Sequence, residues 1–130
     1  ISEATNAALA KASGDYIALL DHDDELTPDA LFHVARWIND HPDADVIYSD
    51  EDKLDLAGAR CDPYFKPDWS PDMFLAQNYL NHVTAHRRSL VEAVGGFRVG
   101  DGGTGRLDGS GPTAPEGAIV ALTREPGPGA

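Results

Sequence analysis

Basic residues are scarce in this sequence. Ten Lys and Arg stand against 22 Asp and Glu, giving a formal net charge of -12 and an isoelectric point of about 4.5. Nucleic-acid binding needs clustered Lys and Arg to neutralise phosphates, so this balance argues against such a partner. It suits acidic loops able to hold a divalent cation. Cysteine is nearly absent: Cys61 is the only one. One thiol makes neither an intrachain disulfide nor a Cys-based zinc site, and it fits a reducing compartment. Long apolar runs are missing. None reaches the ~18 residues of a transmembrane helix, and no basic-then-apolar leader is present. There is no initiator Met, since the chain begins at Ile1; residues are expected upstream.

What is present is ordinary globular material. The 130 residues are 42% hydrophobic and 25% charged, enough for one modest domain with a core. Composition changes abruptly at Gly100. Residues 1–99 carry mixed, periodic sequence. Residues 100–130 are dominated by Gly, Pro, Ala, Ser and Thr, with a short apolar stretch at Ala118–Leu122. Such a tail buries too little surface to offset its ordering entropy and is expected to be disordered. The loss of pattern at one point also raises a frame-shifted, mis-assembled or truncated reading frame.

The spacing predicts a helix from Ser2 ending at Ser13-Gly14-Asp15, then a buried strand over Tyr16–Leu20. A second helix is predicted with Thr27 as N-cap and Pro28 at its first position. Its buried stripe is Leu31, Val34, Ala35 and Ile38, with Trp37 beside it in the core. Val46-Ile47-Tyr48 follows as a strand. Strand, helix and strand at this spacing suggest a βαβ unit with parallel strands. Leu56–Ala59 reads as a turn and Pro63–Pro71 as an ordered loop. Pro71–Gln77 reads as a short helix, His82–His86 as a strand, and Ser89–Val94 as a helix stopped by Gly95-Gly96.

Two acidic clusters follow apolar strands: Asp21-His22-Asp23-Asp24, and Ser49 followed by Asp50-Glu51-Asp52. In open α/β sheets, ligands bind beyond the carboxyl ends of strands. Neighbouring carboxylates repel unless a cation neutralises them, and Mg²⁺ or Mn²⁺ takes carboxylates together with substrate phosphates. An Asp-x-Asp loop of this kind suits a metal–diphosphate complex. The bland alternative is a solvated loop favouring the next helix dipole. An EF-hand is excluded, because its sixth loop position would be Leu26 instead of Gly and its twelfth Phe32 instead of Glu.

These residues resemble glycosyltransferase family 2. The likeness runs from Asn6-Ala7-Ala8 through Ser13-Gly14-Asp15-Tyr16-Ile17-Ala18 to Leu20-Asp21-His22-Asp23-Asp24. It continues in Tyr48-Ser49-Asp50-Glu51-Asp52-Lys53, in Phe65-Lys66-Pro67-Asp68-Trp69-Ser70-Pro71-Asp72 and in Gly95-Gly96-Phe97-Arg98. The middle two segments are similar to the bacterial branch that builds O-antigen, rhamnan or other surface polysaccharide. The resemblance implies an α/β, incomplete GT-A (Rossmann-like) nucleotide-sugar-binding domain with mainly parallel strands over 1–99. It implies a D-x-D motif at Asp21-His22-Asp23, with Asp23 as main metal ligand, Asp21 near the ribose or metal, and Asp24 a weaker candidate. Asp21, His22, Asp23 and Asp24 would face the donor. The metal, Mg²⁺ or Mn²⁺, would neutralise the leaving diphosphate of a UDP- or dTDP-sugar. The acceptor would be a glycan or lipid-linked glycan, and the full-length protein cytoplasmic, at the inner face of the membrane.

Asp50, Glu51, Asp52 and Trp69 would border the substrate pocket; the alternative for the acids is the polar start of a hairpin. Tyr64 and Trp69 suit stacking on a sugar or loop packing. Lys53 and Lys66 could meet phosphate, although isolated lysines are usually superficial. His82 and His86 read as structural. The sequence departs from the family at two places. The nucleotide-binding first strands do not precede Ile1, and after Gly-Gly-Phe-Arg no matching carboxylate supplies the general base; Asp108 does not fit. The resemblance therefore implies an enzyme of which this chain alone is inactive. Competing readings are a non-catalytic metal- or nucleotide-binding module and an acidic interaction domain.

Overall fold

A computed structural model describes residues 2–97 and 117–122. Arg98, the segment 99–106 and Asp108 lie outside the described residues. The elements are α1 (Ser2–Leu9), β1 (Tyr16–Asp21), α2 (Ala30–Asp40), β2 (Val46–Tyr48), β3 (Glu51–Leu54), β4 (Arg60–Tyr64), α3 (Pro71–Ala76), β5 (Thr84–Arg87), α4 (Arg88–Ala93) and β6 (Gly117–Leu122). They fall into two compact units, Ile1–Ile47 with Ala85–Ala130, and Tyr48–Thr84.

The first unit is built on a four-stranded sheet in the order β2-β5-β1-β6. Its core joins Leu9 of α1, Ile17 of β1, Val91 of α4 and Phe97, with Ala12 and Leu19 packed against them. Ile17 and Val91 are almost fully enclosed, and each such side chain contributes about 1.5–3 kcal/mol by leaving water. Tyr16 is buried too. Its hydroxyl donates to the Ala44 carbonyl at 2.5 Å, and the Arg87 guanidinium lies 5.0 Å above its ring. Asn6 clasps the far end of the unit. Its Nδ2 donates to the Phe97 carbonyl at 2.7 Å, and its Oδ1 accepts the Phe97 N–H at 2.9 Å.

The sheet corrects the expectation of mainly parallel strands. β1 and β6 pair antiparallel, with Tyr16 opposite Leu122 and Asp21 opposite Gly117. The Arg87 N–H donates to the Asp45 carbonyl and the Ser49 N–H to the Val83 carbonyl. β5 therefore enters where β2 leaves, and the two are antiparallel. The Arg88 N–H bonds the Asp15 carbonyl, so β5 ends where β1 begins. The two strands of the predicted β1–α2–β2 unit do not pair with each other, because β5 occupies the slot between them. Among the described residues no parallel ladder forms. Residues 117–122, expected within a disordered tail, form strand β6 on the other edge of β1.

Helix α2 begins at Ala30, later than the Thr27–Pro28 signal suggested. Thr27 instead closes a turn, its carbonyl accepting the Ala30 N–H at 3.0 Å. Ile38 alone of the anticipated stripe is fully buried. Trp37, read as core, is 54% exposed and stacks on His41 at a ring separation of 3.9 Å.

The second unit holds the antiparallel hairpin β3–β4, with Glu51 opposite Tyr64 and Leu54 opposite Arg60. Asp55 builds its turn. One carboxylate oxygen accepts the N–H groups of Ala57 and Ala59, each at 2.8 Å. Gly58 takes φ +79°, the left-handed conformation in which a side chain would be strained. Helix α3 starts at Pro71, and the Ser70 hydroxyl accepts the Met73 N–H at 3.4 Å. The buried Tyr79 ring meets Tyr48 edge-on at 6.0 Å and Phe74 at 6.5 Å.

Candidate functional site

Strand β1 leaves the core as it runs. Tyr16, Ile17 and Ala18 are buried, while Leu19, Leu20 and Asp21 are half-buried. Its last residue is thus the first carboxylate at the edge of the fold. The chain then turns back: the Asp24 N–H donates to the Asp21 carbonyl at 3.2 Å. That turn brings Asp24 over Asp21, and an oxygen of each carboxylate lies within 4.8 Å of the other. Both side chains are only half-exposed. Mg²⁺ holds oxygen ligands at about 2.0–2.1 Å and Ca²⁺ at about 2.3–2.6 Å, so two carboxylates at this spacing fit a shared divalent cation after small rotations. His22 and Asp23 occupy the tip of the turn. They are 64% and 69% exposed and face each other, Nδ1 to Oδ1, at 3.8 Å.

The cluster at 50–52 serves the second unit's own architecture. Asp50 Oδ1 accepts the Lys66 N–H at 2.8 Å. Glu51 pairs with the Lys66 ammonium at 3.0 Å, and the same carboxylate oxygen accepts the His82 N–H at 2.5 Å. Lys66 Nζ in turn donates to the His82 carbonyl at 3.4 Å. Glu51 and Lys66 thus grip both peptide groups of one residue. Asp52 binds Arg60 across the hairpin at 2.5 Å. Ser49 completes the set, its hydroxyl accepting the Val83 N–H at 3.4 Å. These bonds tie all four residues into the second unit.

Lys66 departs from the expectation for an isolated lysine, for its side chain is 1% exposed. The available signal was its place between Phe65 and Pro67, with an acidic pair earlier in the same motif set. Lys53 is superficial and pairs with Asp62 at 3.6 Å. Trp69 is 57% exposed and leans on Phe74 at 5.3 Å.

His86 is mostly enclosed on β5, and burial holds its imidazole pKa below the ordinary 6.5. Among the described residues its Nδ1 has no hydrogen-bond partner. A shallow cavity of about 330 Å³ in the second unit is lined by Glu51, Tyr64, Asn78, Tyr79 and Asn81, among others. The amide-rich segment 77–81 carried no motif and was not singled out by sequence.

Residues 1–92 match the family model described as glycosyl transferase family 2, and the chain belongs to that family. An uncharacterized protein of Sinorhizobium fredii, y4gI, is 52% identical over 100 residues, covering 77% of this chain and 11% of its own length. The O-antigen biosynthesis protein RfbC of Myxococcus xanthus is 42% identical over 105 residues, covering 80% of this chain and 8% of its own length. The chain spans about a tenth of the length of these curated relatives. No solved structure matches. No helix among the described residues is long and apolar enough to cross a membrane.

Proposed function

We propose that residues 1–99 are part of a glycosyltransferase that moves a sugar from a nucleotide-diphosphate donor, a UDP- or dTDP-sugar, to a glycan or lipid-linked acceptor. The setting is bacterial surface-polysaccharide synthesis of the O-antigen or rhamnan kind. Family membership supports sugar transfer, and the printed role of the Myxococcus relative supports the polysaccharide setting. The observation that carries the reading is the convergence of Asp21 and Asp24 at the end of β1.

In this reading Asp21 and Asp24 hold Mg²⁺ or Mn²⁺. The geometry favours Asp24 over Asp23, the residue the motif alone singles out, because Asp23 sits at the tip of the turn beside His22. When bound, the cation supplies charge to stabilise a departing diphosphate. Asp21 and Asp24 contribute two negative charges placed by one turn, at little further entropic cost. Asp23 and His22, exposed at the rim, are placed to meet the donor. Inverting transfer also needs a base on the acceptor hydroxyl. No residue of this chain is assigned that role, and the chain by itself is expected to bind donor without transferring sugar.

Calorimetry of the chain with MnCl₂ and UDP tests this. Nucleotide binding should require the metal. Asp21→Asn and Asp24→Asn should each weaken it about tenfold or more, and Asp23→Asn less. A folded sample that binds UDP equally with and without metal would overturn the metal-site reading, and one that binds no UDP at all would favour an acidic interaction module.

A further inference from the structure

We propose that the segment 65–75 of the second unit is a docking surface for a protein partner, and that the partner presents a stretch of mixed apolar and basic side chains. Phe65 is 74% exposed, Trp69 57% and Leu75 85%. Trp69 leans on the half-buried Phe74 at 5.3 Å, and Leu75 follows Phe74 in α3. Trp69, Phe74 and Leu75 thus lie together at the surface. Single exposed apolar residues are ordinary, whereas grouped large ones mark interaction sites.

The backbone beneath these side chains is held without a partner. The Lys66 N–H donates to Asp50 Oδ1 at 2.8 Å, and the Tyr48 hydroxyl donates to the Pro67 carbonyl at 2.8 Å. The Ser70 N–H donates to the Tyr79 hydroxyl at 2.9 Å, and the Ser70 hydroxyl accepts the Met73 N–H at 3.4 Å. Pro67 and Pro71 each fix a further backbone torsion. Trp69 and Leu75 are therefore displayed by a pinned segment. Docking on such a segment costs little ordering entropy.

Charge selects the occupant. Residues 48–84 hold seven Asp and Glu against three Lys and Arg. All three cations are engaged within the unit: Lys53 with Asp62, Arg60 with Asp52 and Lys66 with Glu51. Asp68 and Asp72 are exposed and have no cationic partner among the described residues. Asp68 directly precedes Trp69 in the chain. Asp72 stands three positions before Leu75 on α3, a spacing at which helical side chains are neighbours. Apolar side chains flanked by two open carboxylates complement a partner that carries Lys or Arg beside its own apolar residues. A second copy docking through the same patch would set Asp68 and Asp72 against their like. An anionic membrane surface would be repelled in the same way.

The test is an NMR titration of the whole chain, followed at backbone amides and the Trp69 indole. The probe is a synthetic amphipathic peptide of about 18 residues, with Leu on one helical face and Lys on the other. Controls are the same peptide with Glu replacing Lys, a peptide of Lys alone, and vesicles of phosphatidylcholine with phosphatidylglycerol. The Leu/Lys peptide should shift the Trp69 indole and the backbone signals of residues 65–76, and the controls should leave both unmoved. Trp69→Ala and Leu75→Ser should each weaken binding about tenfold or more. Leu75 is almost fully exposed, so thermal melts of Leu75→Ser should match the native chain and separate lost docking from lost folding. Asp68→Asn combined with Asp72→Asn should weaken binding about tenfold and flatten its dependence on NaCl. Overturning results are no shifts up to about 1 mM peptide, shifts centred outside residues 65–76, equal binding of the Lys or Glu peptide, or vesicle binding that Leu75→Ser abolishes. Asp21→Asn should leave peptide binding intact, so the donor reading and this surface fail separately.

Discussion

A backbone bond draws the Asp24 carboxylate to Asp21, a contact that a motif of spaced letters does not encode. An Asp-x-Asp pattern counts positions along the chain. The Asp24 N–H to Asp21 carbonyl bond folds the fourth residue back over the first. Spacing could identify the acidic loop, but only the turn decides which carboxylates converge. The same contrast holds for Asp50, Glu51 and Asp52. As letters they look like a second binding cluster; in space they are tied to Lys66, His82 and Arg60. His86 supports a pH prediction at this scale. Its pKa is depressed by burial from 6.5, so the folded state favours the neutral ring. Above 6.5 its contribution to stability is complete. As pH falls through 6.5 toward the lower folded value, the unfolded chain binds more protons and that stability is lost. Melting temperatures followed from pH ~7.5 to ~5 should fall more steeply in the native chain than in His86→Leu. Parallel slopes would remove His86 from the account.

At the scale of elements, most strands and helices were legible because they are local. β1, β2, the hairpin turn at Asp55–Ala59 and the Ser70-capped helix carry their own signals in a few residues. The order of strands is not local. β5 is only Thr84–Arg87, and nothing in four residues announces that they slot between β1 and β2. The Asn6–Phe97 clasp is similar. Both residues lie in segments shared with the family, yet 91 positions separate them. Gly96 shows why the second glycine is needed there. It takes φ +76°, and a Cβ would lie 2.7 Å from Asn6 Oδ1. Gly96→Ala should cost about 1–3 kcal/mol in urea unfolding, from backbone strain and that clash. Asn6→Ala should also destabilise, by the loss of two hydrogen bonds. The double variant should be less harmful than the sum, since removing Asn6 relieves the clash. Strict additivity would argue that strain at φ +76° is the whole effect.

The whole molecule is dominated by its charge. A net -12 over 130 residues makes the compact state repel itself. Raising NaCl from about 20 mM to about 300 mM should raise the melting temperature by screening that repulsion. MgCl₂ or MnCl₂ at matched ionic strength should raise it further if Asp21 and Asp24 share a cation, and that excess should vanish in Asp21→Asn. Equal effects of the sodium and divalent salts would assign the stabilisation to screening alone. Charge and family were both readable from the sequence. The division into two units was not, because residues 48–84 form an inserted body whose boundaries carry no composition change.

The slot occupied by β5 sets an order of events during synthesis. β1 and β2 leave the ribosome well before Thr84–Arg87, the strand that hydrogen-bonds to both. At roughly 5–20 residues per second, the chain spends several seconds with those two edges unsatisfied. Exposed edges are templates for pairing with other chains. The nascent protein therefore carries two open pairing edges during that interval, which closes for the β1–β2 gap only when Thr84–Arg87 arrives.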